Sequence, residues 1–188
     1  MTVREKRDLA RRALARMEFH DVPLREFEFA DLTFELILSA SCFAQLKRHR
    51  LATLTCPPYD PALGVTVPAS IEAVGGRAEF LAMIGRTNAA HAVLKKRTGP
   101  AADYVLTNAH RRRALLKVNL RELYHISRLR EDGSAQWDIR ALAGKMRRLA
   151  QKALPLTGML LGGKDAFPVL YERLFGRKPS AVPPDLLK

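Results

Sequence analysis

The residues best equipped for chemistry fall into two short stretches. In the first, QLKRHR, Gln45 precedes Arg48-His49-Arg50, two guanidiniums around one imidazole. Arginine forks match phosphate and carboxylate edges, and a histidine can carry a proton near neutral pH. In the second, NLRELYHISRLR, Asn119 is followed by Arg121, Glu122, His125, Arg128 and Arg130. Arg121, His125 and Arg128 stand at i, i+4 and i+7, the spacing of one helix face. Cationic groups collected in this way suit a polyanionic ligand. A third run, Arg111-Arg112-Arg113, reads as a solvated edge, because like charges need water or an anion between them.

Several elements must position these groups. Residues 5–17 alternate arginines with Leu9, Ala10, Ala13, Leu14 and Met17, the period of a basic amphipathic helix. Leu32, Phe34, Leu36 and Leu38 alternate with Thr33, Glu35 and Ile37, which predicts a half-buried strand. Cys42, Phe43 and Leu46 fit a short helix running into the basic triplet. Pro57, Pro58, Pro61 and Pro68 predict a surface loop over residues 54–69. A long alanine-rich helix spans residues 77–96 and stops at Gly99-Pro100, and a strand enters through the three arginines. Asn119 followed by Glu122 has the form of a capping box, so a helix should start there and run to Arg130, broken by Asp132-Gly133. A last helix from Ala135 would point Trp137, Ile139, Leu142, Met146 and Leu149 at a core.

Composition bounds the partners. The 188 residues suffice for one core, with 47% hydrophobic and 27% charged residues, and the 32 Lys and Arg against 19 Asp and Glu give a net charge of +13. Such a surface attracts nucleotides, phosphorylated cofactors, folate polyglutamates, nucleic acids or anionic membranes. No apolar run approaches a membrane span and the first 20 residues hold no signal-like core, so a cytoplasmic protein is expected. Cys42 and Cys56 show neither zinc nor disulfide spacing, and the five histidines have no metal-ligand pattern, so no metal is expected. GMLLGGK, residues 158–164, has a phosphate-loop skeleton, but Asp165 replaces the hydroxyl that magnesium needs, and a Gly-Gly turn explains it better.

The stretches FEFADLTFELILSASCFAQLKRHR, residues 27–50, and NLRELYHISRLREDGSAQWDIR, residues 119–140, together resemble the flavin-dependent thymidylate synthase family. The first carries a Gln-x-x-Arg-His-Arg opening. The second carries Asn-x-Arg, the helix-ending Leu-Arg, and an Ala-Gln-Trp sequence, all without a gap. The resemblance implies an α+β fold, a curved antiparallel sheet flanked by long helices, over a single domain at residues 1–177. Residues 1–20 would form a basic N-terminal helix and residues 178–188 a frayed proline-rich tail. It further implies a homotetramer that binds FAD, takes reducing power from NADPH and a one-carbon unit from methylenetetrahydrofolate, and methylates dUMP at C5. Position by position, Arg48, His49 and Arg50 would contact flavin and the neighbouring nucleotide; Asn119, Arg121 and His125 would face FAD. Gln45, Arg48 and Arg130 would face substrate. Arg130, the catalytic candidate, would stabilise charge developing on the pyrimidine ring.

The chain departs from that pattern after the triplet, where the family has a serine, an asparagine, a glutamate, a second serine and an arginine. Ungapped counting places Thr53, Thr55, Cys56, Pro58 and Asp60 there, and a further substrate-facing arginine becomes Asp103. In the family the second serine and the arginine hold the dUMP phosphate; losing a charge-assisted hydrogen bond costs roughly 1.5–3 kcal/mol, so the resemblance implies that this grip is rebuilt or lost. Three readings follow: an active enzyme with a rebuilt loop that draws on Arg111, Arg112 and Arg113 for phosphate; a degenerate flavin-binding subunit or scaffold, similar to the second half of tandem-domain members; and a basic nucleic-acid-binding protein.

Overall fold

Alternation over residues 32–38 does become a strand. In the computed structural model, which describes residues 1–183, β1 (Asp31–Ser39) turns Phe34, Leu36 and Leu38 inward and Thr33, Glu35 and Ile37 outward. The last five residues of the expected tail lie outside the described residues. Helices α1 (Val3–Leu14), α2 (Ala40–Leu46), α3 (Ala69–Ala73), α4 (Arg77–Thr98), α5 (Leu120–Arg130), α6 (Trp137–Ala153) and α7 (Phe167–Phe175) accompany a three-stranded antiparallel sheet. Its order is β1-β3-β2, with β3 (Arg111–Asn119) central and β2 (Thr53–Thr55) at one edge. The chain is thus mixed α+β. It divides into two compact units, one built from Met1–Phe34, His49–Thr53 and the chain from Lys117 onward, the other from Glu35–Arg48 and Leu54–Leu116.

The second unit holds the proline-rich segment, which is more ordered than a loop. Three residues pair as β2, and Pro61–Leu63 form a 3-10 turn that Asp60 caps by accepting from the Ala62 amide at 2.9 Å. Threonine at both ends of β2 suits a pleated edge, a signal the prolines mask. Helix α4 buries only Ile84 and His91 and ends at Gly99, whose φ of 58° few side chains tolerate. The following 3-10 segment (Gly99–Val105) packs against it. Here His91 and Lys95 meet the Asp103 carboxylate at 3.0 and 3.1 Å, and the His91 hydrogen bond, with Lys95 behind it, holds that carboxyl below its usual range.

In the first unit, α1 begins with a capping box between Thr2 and Glu5. Helices α5, α6 and α7 supply the core: Leu120, Leu123, Tyr124, Ile126, Ile139, Met146, Phe167 and Tyr171 are each at most 2% exposed. The stripe that α6 buries is Ile139, Ala143, Met146 and Ala150, so the expectation that Trp137 and Leu149 point to a core is corrected: they are 41% and 58% exposed. At 3.6 residues per turn, Trp137 points away from that row and Leu149 falls at its edge. The glycines of residues 158–163 serve close packing, since a Cβ on Gly163 would lie 3.0 Å from the backbone of Glu131.

Asp132-Gly133 ends α5 as the sequence predicts. Asp132 accepts from the Ser134 amide at 2.8 Å and from its hydroxyl, and meets Lys164 at 3.0 Å. Lys164 is therefore engaged in an ion pair. Hydrogen bonds from Ser134, reinforced by Lys164, hold the Asp132 carboxyl down at about 2 against an ordinary 3.8. A carboxyl lowered by folding adds stability above its unfolded value and loses it as pH falls through the folded one. Allowing for solvent screening, the contribution is about 1 kcal/mol. Asp132→Asn should lower urea-unfolding stability by about that amount at pH 7, and the gap should close as the pH approaches 2. A gap independent of pH would remove the carboxylate charge from the account.

Candidate functional site

Asn119 is the hinge of the site. It leaves β3 with extended backbone, φ −75° and ψ 159°, and its side-chain oxygen accepts from the Glu122 amide at 2.8 Å, capping α5. The Leu120 amide is also engaged, donating to the Ala30 carbonyl at 2.8 Å. Positive charge at this helix end therefore comes mainly from side chains. Arg121 donates through Nε to the Pro23 carbonyl at 2.9 Å and through Nη1 to Glu28 at 3.0 Å, and Arg25 reaches the same carboxylate at 3.2 Å. The Arg25 contact, with Arg121 adding, keeps Glu28 ionised below the usual carboxylate range. Two guanidiniums thus share one carboxylate.

These groups surround a cavity of about 330 Å³. Asn119, Arg121, Glu122 and His125 line one side of it, and Arg25 and Glu28 add charge, while Val22 and Leu51 give it an apolar wall. An anionic group beside a flat ring suits such a lining: cations and an exposed imidazole for the one, aliphatic side chains for the other. His125 also lines a neighbouring cavity of about 180 Å³ with Tyr124 and Arg128. Arg128 does not join the Arg121 site. It donates to the Phe19 carbonyl and lies 4.3 Å from the centre of the Phe167 ring.

His49 sits at the base of this region, 6% exposed, while Arg48 and Arg50 on either side of it are exposed. Its Nε2 accepts from Arg130 Nε at 2.9 Å, and its Nδ1 lies 3.1 Å from the Glu122 carboxylate, itself 5% exposed. Arginine Nε always carries its proton. That bond needs a lone pair on Nε2, which leaves Nδ1 to face Glu122 as a donor. The exposed ring of His125 meets His49 edge-on, with centroids 5.7 Å apart. Glu122, read from sequence only as half of a capping box, turns its carboxylate to His49. Neither it nor Glu28 was among the expected site residues, and a single capping pattern carried the only signal.

Arg50, His49, Asn119, Arg121, His125 and Arg130 all belong to the first unit. Gln45 and Arg48 belong to the second, Gln45 half-buried on α2 and Arg48 exposed just beyond it. Also in the second unit, the three consecutive arginines are engaged. Arg111 donates to Thr66 at 3.2 Å, Arg113 pairs with Glu35, and Arg112 is stacked 4.5 and 4.2 Å from the centres of Phe43 and Tyr59. Cys56 donates from Sγ to the Arg113 carbonyl at 3.0 Å, and burial pushes its thiol up. Among the described residues no cluster of three or more histidine, cysteine or acidic side chains is placed to hold a metal ion, and no helix is long and apolar enough to cross a membrane.

The family model described as Thymidylate synthase complementing protein matches residues 2–156. Among curated proteins, the chain is similar to the flavin-dependent thymidylate synthase of Geobacter sulfurreducens, 34% identical over 138 residues, covering 68% of this chain and 60% of that protein. The enzyme of the same description from Sulfolobus acidocaldarius is 36% identical over 110 residues, 54% of this chain and 42% of its own length. That from Thermococcus kodakarensis is 33% identical over 131 residues, 63% and 54% respectively. The chain thus spans 42 to 60% of the length of these relatives.

Proposed function

Since the chain belongs to the flavin-dependent thymidylate synthase family, we propose that it binds FAD and methylates C5 of dUMP or a related uracil nucleotide. NADPH would be the reductant and methylenetetrahydrofolate the one-carbon donor. The observation that carries this reading is Arg130, held at Nε by a buried histidine in the same unit as the arginine-lined cavity at the start of α5. Asn119, Arg121 and His125 would hold FAD, with Arg48, His49 and Arg50 beside it and Gln45 toward the nucleotide. The 330 Å³ cavity, with Arg25 and Arg121 for an anionic group and Val22 and Leu51 for an apolar one, would hold part of such a dinucleotide. FAD, once reduced, would supply the electrons that convert the transferred carbon to a methyl group.

The chain's own contribution is electrostatic. A permanently charged guanidinium fixed before substrate arrives stabilises negative charge developing on the pyrimidine without reorganising at the moment of reaction. In this reading residues 1–177 work as one functional domain in the cytoplasm, within a homo-oligomer, a tetramer in the manner of the family, or beside a related subunit.

A second reading, a flavin-binding subunit or scaffold without a complete dUMP site, is favoured by the loop after the triplet. Cys56, Tyr59 and Asp60 are all engaged inside the second unit, as are Arg111, Arg112 and Arg113. Visible absorbance separates the readings in stages. Purified protein should show a flavin spectrum with or after addition of FAD, and the reduced form should methylate a uracil nucleotide. Flavin without turnover selects the subunit reading. Failure to take up FAD under any condition discards both, and salt-sensitive oligonucleotide binding by such a flavin-free protein would point to a nucleic-acid-binding role.

A further inference from the structure

We propose that Glu122 and His49 are positioning residues for Arg130, a two-bond relay in which a carboxylate sets the tautomer of one ring and the ring sets the orientation of one guanidinium. The inference deepens the proposed function, because it rests on Arg130 as the group that meets the substrate. Three observations carry it. First, His49 and Glu122 are 6% and 5% exposed, so neither is hydrogen-bonding to bulk water as an alternative. Second, the two bonds are directional. Arg130 Nε–H can only donate, so His49 Nε2 at 2.9 Å must present a lone pair, and the ring proton must sit on Nδ1, 3.1 Å from the Glu122 carboxylate. Third, Glu122 and Arg130 occupy the first and last turns of one helix, about 12 Å apart along its axis. That is beyond the i,i+4 pairing that helices use, and the imidazole closes the gap.

The chemistry of the alternative shows why the carboxylate matters. With the proton on Nε2, two N–H groups would face each other and Arg130 would have to swing away. Glu122 accepts from Nδ1–H and so disfavours that tautomer. Its own negative charge is supported by its place in the first turn of α5. The arrangement matches the way a ligating histidine is oriented by a carboxylate behind it, with a guanidinium in place of a metal.

Imidazole nitrogen NMR on the full chain tests the relay without any need for turnover. His49 should carry its proton on Nδ1 and none on Nε2 at neutral pH. Arg130→Ala should shift the Nε2 resonance, and Glu122→Ala should turn the ring into a mixture of tautomers. A ring protonated at Nε2 in the wild-type chain, or an Nε2 resonance that ignores Arg130→Ala, overturns the relay whether or not the protein methylates anything. Kinetics supply the second arm. His49→Gln can offer an amide oxygen to Arg130 Nε, whereas the shorter His49→Asn reaches only toward Glu122. Positioning predicts that His49→Asn lowers kcat by about 10- to 100-fold with little change in KM, and that His49→Gln restores much of the loss. A merely destabilised fold would lower both alike, so equal kcat in the two variants also overturns the relay. If the wild-type protein fails to methylate uracil nucleotides, the proposed function falls instead, and the NMR result decides the relay by itself.

Discussion

Arg130→Ala is expected to cut the rate of methyl transfer by roughly 10²- to 10³-fold, the usual consequence of deleting one preorganised group that meets developing charge. The loss should fall on kcat and kcat/KM together, because the interaction strengthens as charge builds on the pyrimidine. The side chain is well suited to this: it is permanently charged, and His49 already holds its Nε at 2.9 Å. Arg130→Lys would keep the charge but has no Nε–H to meet His49, so it should recover only part of the rate. The measurement is single-turnover methylation by reduced, FAD-loaded protein, with the flavin spectrum recorded for each variant. A rate unchanged in Arg130→Ala would remove this residue from the chemistry.

Phe167→Ala should be the most damaging of the simple core substitutions. Phe167 is 1% exposed, packs edge-on to Phe19 with centroids 6.1 Å apart, and lies 5.7 Å from Tyr171. Truncating such a ring costs about 3–5 kcal/mol. The Arg128 guanidinium, 4.3 Å above the same ring and held below its ordinary pKa chiefly by burial, would lose its stacking partner as well. For a chain of this size each kcal/mol moves the thermal midpoint by about 2–4 °C, so a drop of roughly 6–20 °C is expected. Phe167→Leu, which keeps most of the volume, should lose much less. Similar midpoints for the two variants would show that the site collapses around the missing ring.

How far the sequence reaches differs from element to element, for physical reasons. Local periodicity is enough to place β1, α4 and α5, because alternation and i,i+4 spacing are properties of the chain alone. The edge strand Thr53–Thr55 is hidden, since three residues beside four prolines carry almost no periodic signal and pairing with β3 decides the matter. Trp137 is exposed although its size suggests burial, because the helix rotates to bury a row of smaller residues. The Arg111-Arg112-Arg113 run reads as a solvated edge, yet Arg112 lies between two aromatic rings that are distant in sequence.

The same division runs through the site. The stretches 27–50 and 119–140 are sufficient for the sequence to indicate the family, and that resemblance nominates Asn119, Arg121 and Arg130; the helix cap at Asn119 and the cationic face of Arg121 are also written in neighbouring residues. Only the tertiary structure could separate the members of the basic triplet, turning His49 inward while Arg48 and Arg50 face solvent. Only it could give Glu122 a partner 73 positions away and Arg130 one 81 away. Burial and directional hydrogen bonds depend on what the fold brings alongside, and no local spacing encodes that. By itself the sequence determined which groups are available for chemistry; the tertiary fold decided which of them is held still and by which neighbour.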